Sequence, residues 1–576
     1  MKMTKQAIPH LTSLIYFLIV AGIHIVFAQS LPVGTPGLED RYRRDQLLGK
    51  LDSSISFSVR PLNTKALLKS NSYDGDRIFS VNDRHPNRDN GLYLELLPIN
   101  WQHQITSGFP YGWNDGSMIP NVGYQTQFSA GVYAEYKFFS IQLRPEFVYA
   151  QNQYYVGFDG KTKPSWDVWY AYYNNIDMPE HFGDGPYTKL FPGQSSIRFN
   201  YGALSAGLST ENIWWGPGIR NSLLMSNTAP GFLHATLNTT HPIHTNIGSF
   251  EGQFIVGKLK GSGFTPTKQG IANHYDEYYI PKPDTWRYIS GLTMVWQPKW
   301  LHGLSMGFAQ SFVVNRSDQG SGIADYLSLP FIGYTSHYNK ENPEKTGTDE
   351  QLRKRDAYIS FFGRWVMPKG NAEIYVEYGR NDLPWDNRDF MVEIENSRAY
   401  TVGFRKLVPF NRAREEYVQI GLEATQTEKS RTLQVRDGNS WYIHPVVRHG
   451  YTHRGQLLGA GIGPGSNVQT VYVSWLRGLK QIGIQVERLV HLNDFYYSAS
   501  QDIRGNWVDL GFSALTEWDY KHFVFNAKVH YAHSYNYQYE LIPHPDQAQD
   551  PDKYWWSFTP VDKNPFQLSI GAMYRF

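Results

Sequence analysis

The chain has no cysteine in 576 residues. That excludes a disulfide framework, a thiolate-held zinc and a cysteine nucleophile. It also has almost no net charge: 54 Lys and Arg stand against 52 Asp and Glu, leaving +2. Neither a nucleic acid nor a strongly anionic surface is expected as partner. After residue 28 no apolar run approaches the ~20 residues that a transmembrane helix requires. A large exported chain with these absences must hold itself together by a packed core or by closing a sheet on itself.

Aromatic side chains are plentiful. There are 40 Tyr, 32 Phe and 17 Trp, yet the chain is polar on average. Two architectures combine those properties, a soluble multidomain β protein and an outer-membrane barrel whose strands turn only every second residue to lipid. Residues 1–28 read as a secretory signal, with Lys2 and Lys5 before an apolar stretch from Leu11 to Phe27 and a small-residue junction at Val26-Phe27-Ala28. Maturation is expected at Gln29, with no lipid-anchoring cysteine after it. The closing segment FQLSIGAMYRF alternates apolar and small or polar residues up to Phe576. That is the pattern of a last barrel strand, and localisation in the cell outer membrane is expected.

The same period of two recurs in 124–137, 371–379 and 522–532. Gln125, Glu373 and Lys528 sit on the polar, lumen-facing side. Counted back from the C-terminus, short connections near 518–520, 478–480, 407–414, 367–370 and 298–302 alternate with long ones. The expected fold is all-β, a transmembrane antiparallel barrel of about 16–18 strands. A small, partly helical periplasmic section precedes it. The expected division is a signal at 1–28, a cap or plug at 29–90 and the barrel at 91–576. The parity treats 197–210 as one inward strand and 247–259 as the next outward one. It therefore puts 211–246 at the periplasmic end.

In that stretch Trp214-Trp215 run into Gly216-Pro217-Gly218, followed by Arg220 and Asn221. The tryptophans suit an aromatic girdle on the membrane-facing rim, and the Gly-Pro-Gly turn suits a segment folding back into the barrel mouth. Sugar stacking is the competing use of such rings. The loop 427–467 gathers cations and rings: Arg448, His449, Tyr451, His453 and Arg454. Arginines there suit acidic sugars through bidentate contacts, and a loop held by its own Arg–aromatic stacking is the alternative. Arg380 and Trp385 in 380–397, and Trp555 and Trp556 in 534–565, complete the candidate saccharide contacts. His449 and His453 stand four apart without a helix to bring them together, so no metal is expected. The sequence has no G-x-S-x-G, no HExxH and no defensible triad, so no catalytic residue and no cofactor is assigned.

WWGPGIRNSLLMSNTAPGF (214–232), GRWVMPKGNAEIYVEYGRND (363–382), RDFMVEIENSRAYTVGF (388–404) and RHGYTHRGQLLGAGIGPGSN (448–467), with RYRRDQLLGKLDSSISFSVRPL near the start, together resemble the capsule assembly Wzi family in its Bacteroidetes-type form. The resemblance implies a monomeric outer-membrane barrel of about eighteen strands with a small helical N-terminal part. It further implies a lectin-like, non-enzymatic role, holding exported capsular or surface polysaccharide at the cell surface, with the export machinery as a further partner. A porin or saccharide-conducting channel is the alternative expectation.

Overall fold

The computed structural model describes residues 29–63, 67, 92–158, 166–266, 272–327, 336–337, 347–348, 351, 353–381, 387–430, 438–500 and 502–576. The expected signal and much of 64–91 lie outside the described residues.

Eighteen antiparallel strands close into one barrel. In chain order they are β1 (Leu92–Ser107), β2 (Gly123–Tyr136), β3 (Phe139–Leu143 with Glu146–Ala150), β4 (Tyr187–Phe191 with Ser196–Tyr201), β5 (Leu204–Ser209) and β6 (His234–Thr239 with Ile243–Thr245). β7 (Gly248–Leu259), β8 (Arg287–Pro298), β9 (Leu304–Asn315), β10 (Arg355–Met367), β11 (Ala372–Arg380) and β12 (Arg398–Asn411) follow. The last six are β13 (Glu416–Gln426), β14 (Asn467–Arg477), β15 (Lys480–Val490), β16 (Val508–Tyr520), β17 (Phe523–Tyr535) and β18 (Phe566–Tyr574). β18 pairs with β1 from Phe566↔Ser107 to Tyr574↔Ile99, which removes both edges. The three interrupted strands break beside Pro145, Pro192 and Pro242. A ring without an N–H cannot continue a ladder, so proline sets the interruption.

The alternation read from the sequence is the alternation of the wall. On β2, Phe128, Val132 and Tyr136 are exposed while Gln125, Ser129 and Glu135 are buried inside. On β15, Ile482, Ile484 and Val486 face out and Gln481, Gln485 and Glu487 face in. Short turns gather at the end where β18 finishes, and long loops gather at the other.

One strand boundary differs from the expectation. Residues 197–210 are a hairpin, with β4 turning into β5 at Gly202-Ala203 and Tyr201 opposite Leu204. Outward residues are odd-numbered on β4 (Ile197, Phe199) and even-numbered on β5 (Leu204, Leu208), so the alternation slips by one residue at this turn. A second signal is Gly202, at φ 59°. With β6 restored as a strand, residues 210–233 leave the wall at the long-loop end, opposite to the periplasmic position expected for Trp214 to Asn221.

Before the barrel, α1 (Leu38–Leu47) forms where the sequence reads as helical. It carries Glu39 and Asp40 in its first turn, where acidic groups complement the helix dipole. After α1 the section has two short strand pieces, Val59–Arg60 and Leu62–Asn63.

Candidate functional site

The lumen is filled in three layers. At the short-turn end α1 packs inside the wall. The Glu373 carboxylate on β11 receives Arg43 of α1 at 3.1 Å, Arg364 of β10 at 2.7 Å and Arg405 of β12 at 2.9 Å. Arg405 also bonds Asp40, and Arg364 donates to Gln46 at 2.8 Å. All of these groups but Asp40 are buried, so helix and wall supply one another's counter-charges.

The middle layer is a hydrophobic core inside the barrel. The segment 213–232 contributes Trp215, Leu223, Leu224, Met225 and Phe232, and the loop after β13 contributes Trp441, Tyr442, Tyr451 and Leu457. They pack on inward apolar residues of β7 to β10, among them Ile255, Ile289, Val313 and Phe362. The wall is therefore apolar inside where the two segments press on it, as it is where Val366, Leu407 and Leu476 meet Leu47 of α1. Trp214 and Trp215 pair as a short strand with Arg60 and Val59, which ties the segment to the N-terminal section. Trp215 is fully buried, its indole N–H donating to Gln253 at 2.8 Å, and Arg60 stacks on Trp214. Both rings face the lumen, so the expected place on a membrane-facing rim is corrected. Their apolar faces are covered by protein and have no lipid to meet.

The turn that follows is built around carboxylates of the wall. Gly216 has φ 116°, and a Cβ there would stand 2.8 Å from Glu377. Pro217 leads into Gly218, and the backbone N–H groups of Ile219 and Asn221 then donate to Glu423, each at 2.8 Å. Arg220 reaches β15, bonding Gln485 at 2.8 Å and Glu487 at 2.9 Å.

The third layer closes the long-loop end with aromatic rings. α2 (Trp166–Tyr173), α3 (Ala272–Tyr278) and α4 (Asn493–Ala499) come from three different loops. Trp169 stacks on Phe158 and Tyr173, and Tyr496 stacks on Tyr539. Packed against these, Trp166, Tyr172, Tyr275, Tyr278, Tyr279 and Tyr497 are half-buried, with part of each residue at the surface. Lys282 lies over the Tyr173 ring at 4.9 Å, and burial lowers its pKa to about 8. A polar, aromatic canopy results, with Lys282 and Arg448 beside exposed Asp167, Asp276 and Glu277, which can stack sugar rings and bond hydroxyls.

The candidate contacts divide around this canopy. Arg448 is half-buried at its edge and donates to the Ile280 carbonyl at 2.5 Å. Arg454 lies against Phe191 at 5.4 Å. Trp555 carries Arg504 on its face at 3.6 Å, and Trp556 is 67% exposed. His449 and Tyr451 are buried, and so differ from the expectation of an external loop. Burial lowers the His449 pKa to about 3, and the Tyr451 hydroxyl meets Ser311 at 2.6 Å in the lumenal core. Arg380 is buried at the end of β11 against the Ile394 carbonyl. Trp385 lies outside the described residues. Sequence reading missed α2, although WDVWYAYY carries rings at helical spacing. No cluster of His, Asp and Glu able to hold a metal occurs among the described residues.

The model of the family described as capsule assembly protein Wzi matches residues 112–549. No curated protein matches the sequence. Among solved structures the fold is similar to Wzi of Escherichia coli, an outer membrane protein involved in group 1 capsule assembly and a carbohydrate-binding β-barrel. It is 12% identical, with 95% of this chain and 100% of that chain covered and a TM-score of 0.56. A Rhodopseudomonas blastica porin variant aligns at 7% identity over 84% of this chain and 100% of its own, at a TM-score of only 0.31. On the extent of the family match, the chain belongs to the capsule assembly Wzi family.

Proposed function

We propose that the chain is a non-enzymatic, monomeric outer-membrane barrel that binds exported capsular or surface polysaccharide and holds it at the cell surface. The observation that carries this is the canopy. Four long loops bring part-exposed Trp and Tyr rings, with Lys282 and Arg448, to the end of the barrel opposite the short turns. In outer-membrane barrels the long-loop end is external and the short-turn end periplasmic. The canopy then faces the capsule and α1 faces the periplasm, where the export machinery would meet it. Family membership and the fold shared with a carbohydrate-binding barrel support the same reading. The layered filling of the lumen argues against the porin alternative.

The test is capture of the producing cell's own surface polysaccharide by the purified chain. Replacing Tyr275 and Tyr279, or Trp555 and Trp556, by alanine is expected to weaken capture by tenfold or more. Absence of any capture by the unaltered chain overturns the reading.

A further inference from the structure

Beside the lumenal core lies a polar chamber of about 400 Å³. Strands β1, β2, β15, β17 and β18 wall it, Gly34 and Pro36 of the N-terminal section border it, and the loops 111–118 and 219–227 close over it. Its size falls in the range of small-molecule sites, roughly 300–1,000 Å³.

The charges around it are unequally used. Arg220 is committed to Gln485 and Glu487. Glu487 is saturated, receiving Tyr111 at 2.8 Å and Thr470 at 2.9 Å besides Arg220. Lys528 has no hydrogen bond or ion pair among the described residues, and Asp115 is the other charged group lining the same space. The Lys528 ammonium group is left to donate to whatever occupies the space. Around the pair stand the amides of Gln102, Gln127 and Asn526, and one wall is the half-buried indole of Trp113.

We infer that this chamber is a second saccharide site, taking a chain end one or two sugar rings long. The inference rests on the reading that the barrel binds polysaccharide. A sugar's neighbouring hydroxyls both accept and donate, which matches a lysine, a carboxylate and several amides lining one space. Its apolar C–H face matches the indole. A space of about 400 Å³ holds one or two sugar rings and not a long stretch of polymer, so a short chain end fits it. The site would read the terminal residue, while the canopy holds the length.

The test uses the full chain in detergent micelles and fragments of one repeat unit cut from the producing cell's surface polysaccharide. Calorimetry is expected to show fragment binding. Lys528→Met and Asp115→Asn are each expected to weaken it at least tenfold. Ser569→Tyr, which fills the chamber without removing a charge, is expected to do the same. Capture of the long polymer is expected to persist in all three variants, and the gel-mobility shift of folded barrels on heating shows that each has folded. Fragment binding that is unchanged in the three variants overturns the chamber site and leaves the canopy reading standing. So does polymer capture without fragment binding. Failure of both fragment and polymer to bind overturns both.

Discussion

Arg43 on α1 and Glu373 on β11 are 330 residues apart in the chain and 3.1 Å apart in space. The contact joins the N-terminal section to the wall, and Arg364 and Arg405 share the same carboxylate. Removing one partner of a buried ionic cluster strands the others. The cost for a broken buried pair is about 3–5 kcal/mol. Glu373→Gln is therefore expected to lower the urea midpoint of the barrel and to make residues 29–63 accessible to trypsin before the wall unfolds. An unchanged digestion pattern would show that the helix is held by its apolar face alone.

The wall was legible in the sequence because its physics is local. A strand that meets lipid on one side and protein or water on the other must alternate, and Phe566 to Phe576 or 124–137 do so residue by residue. The contents of the lumen were not legible in the same way. Tyr451 and His449 look like solvent-facing loop residues, because a loop folding inward carries no periodicity that separates it from one folding outward. Gly202 and a one-residue slip of the alternation between Phe199 and Leu204 mark a turn, and missing it reversed the direction assigned to every residue from Trp214 to Asn221. Arg43, Arg364, Arg405 and Glu373 meet through the closed topology, which no local window contains.

Trp215 tests the lumenal placement. A Cβ added at Gly291 on β8 would stand 2.6 Å from the Trp215 ring, so the segment and the wall are in close contact there. Trp215→Ala is expected to cost about 3–5 kcal/mol, as for large aromatic truncations in packed cores. Gly291→Val is expected to cost about 1–3 kcal/mol by overpacking. Trp365→Ala on the exposed face of β10 is the comparison, and it is expected to change equilibrium unfolding far less. Equal losses at Trp215 and Trp365 would contradict the buried position.

Filling of the lumen predicts the electrical behaviour. In planar bilayers the intact chain is expected to give no steady conductance. Replacing 213–232 by a short Gly-Ser linker removes Trp215, Leu223, Leu224, Met225 and Phe232 from the core, and is expected to open a pore. A steady, ungated conductance of the unaltered barrel would favour the channel alternative.

Asp494 predicts a pH dependence of the canopy. Its carboxyl accepts the Lys429 N–H at 3.0 Å and the Ser440 hydroxyl at 2.7 Å, so it docks the loop after β13 onto α4. Burial raises its pKa from 3.8 to about 6. An acid whose pKa is higher in the folded state binds more protons there than in the unfolded chain. Its contribution to stability therefore falls as pH rises from about 4 to about 6, and it stays at the lower level above that. Amide exchange in 438–443 and 493–499, corrected for its intrinsic pH dependence, is expected to be slower at pH 4.5 than at pH 7.5. Asp494→Asn holds the side chain neutral throughout and is expected to flatten the difference. If the variant keeps the full pH dependence of the unaltered chain, the dependence arises from a group other than Asp494.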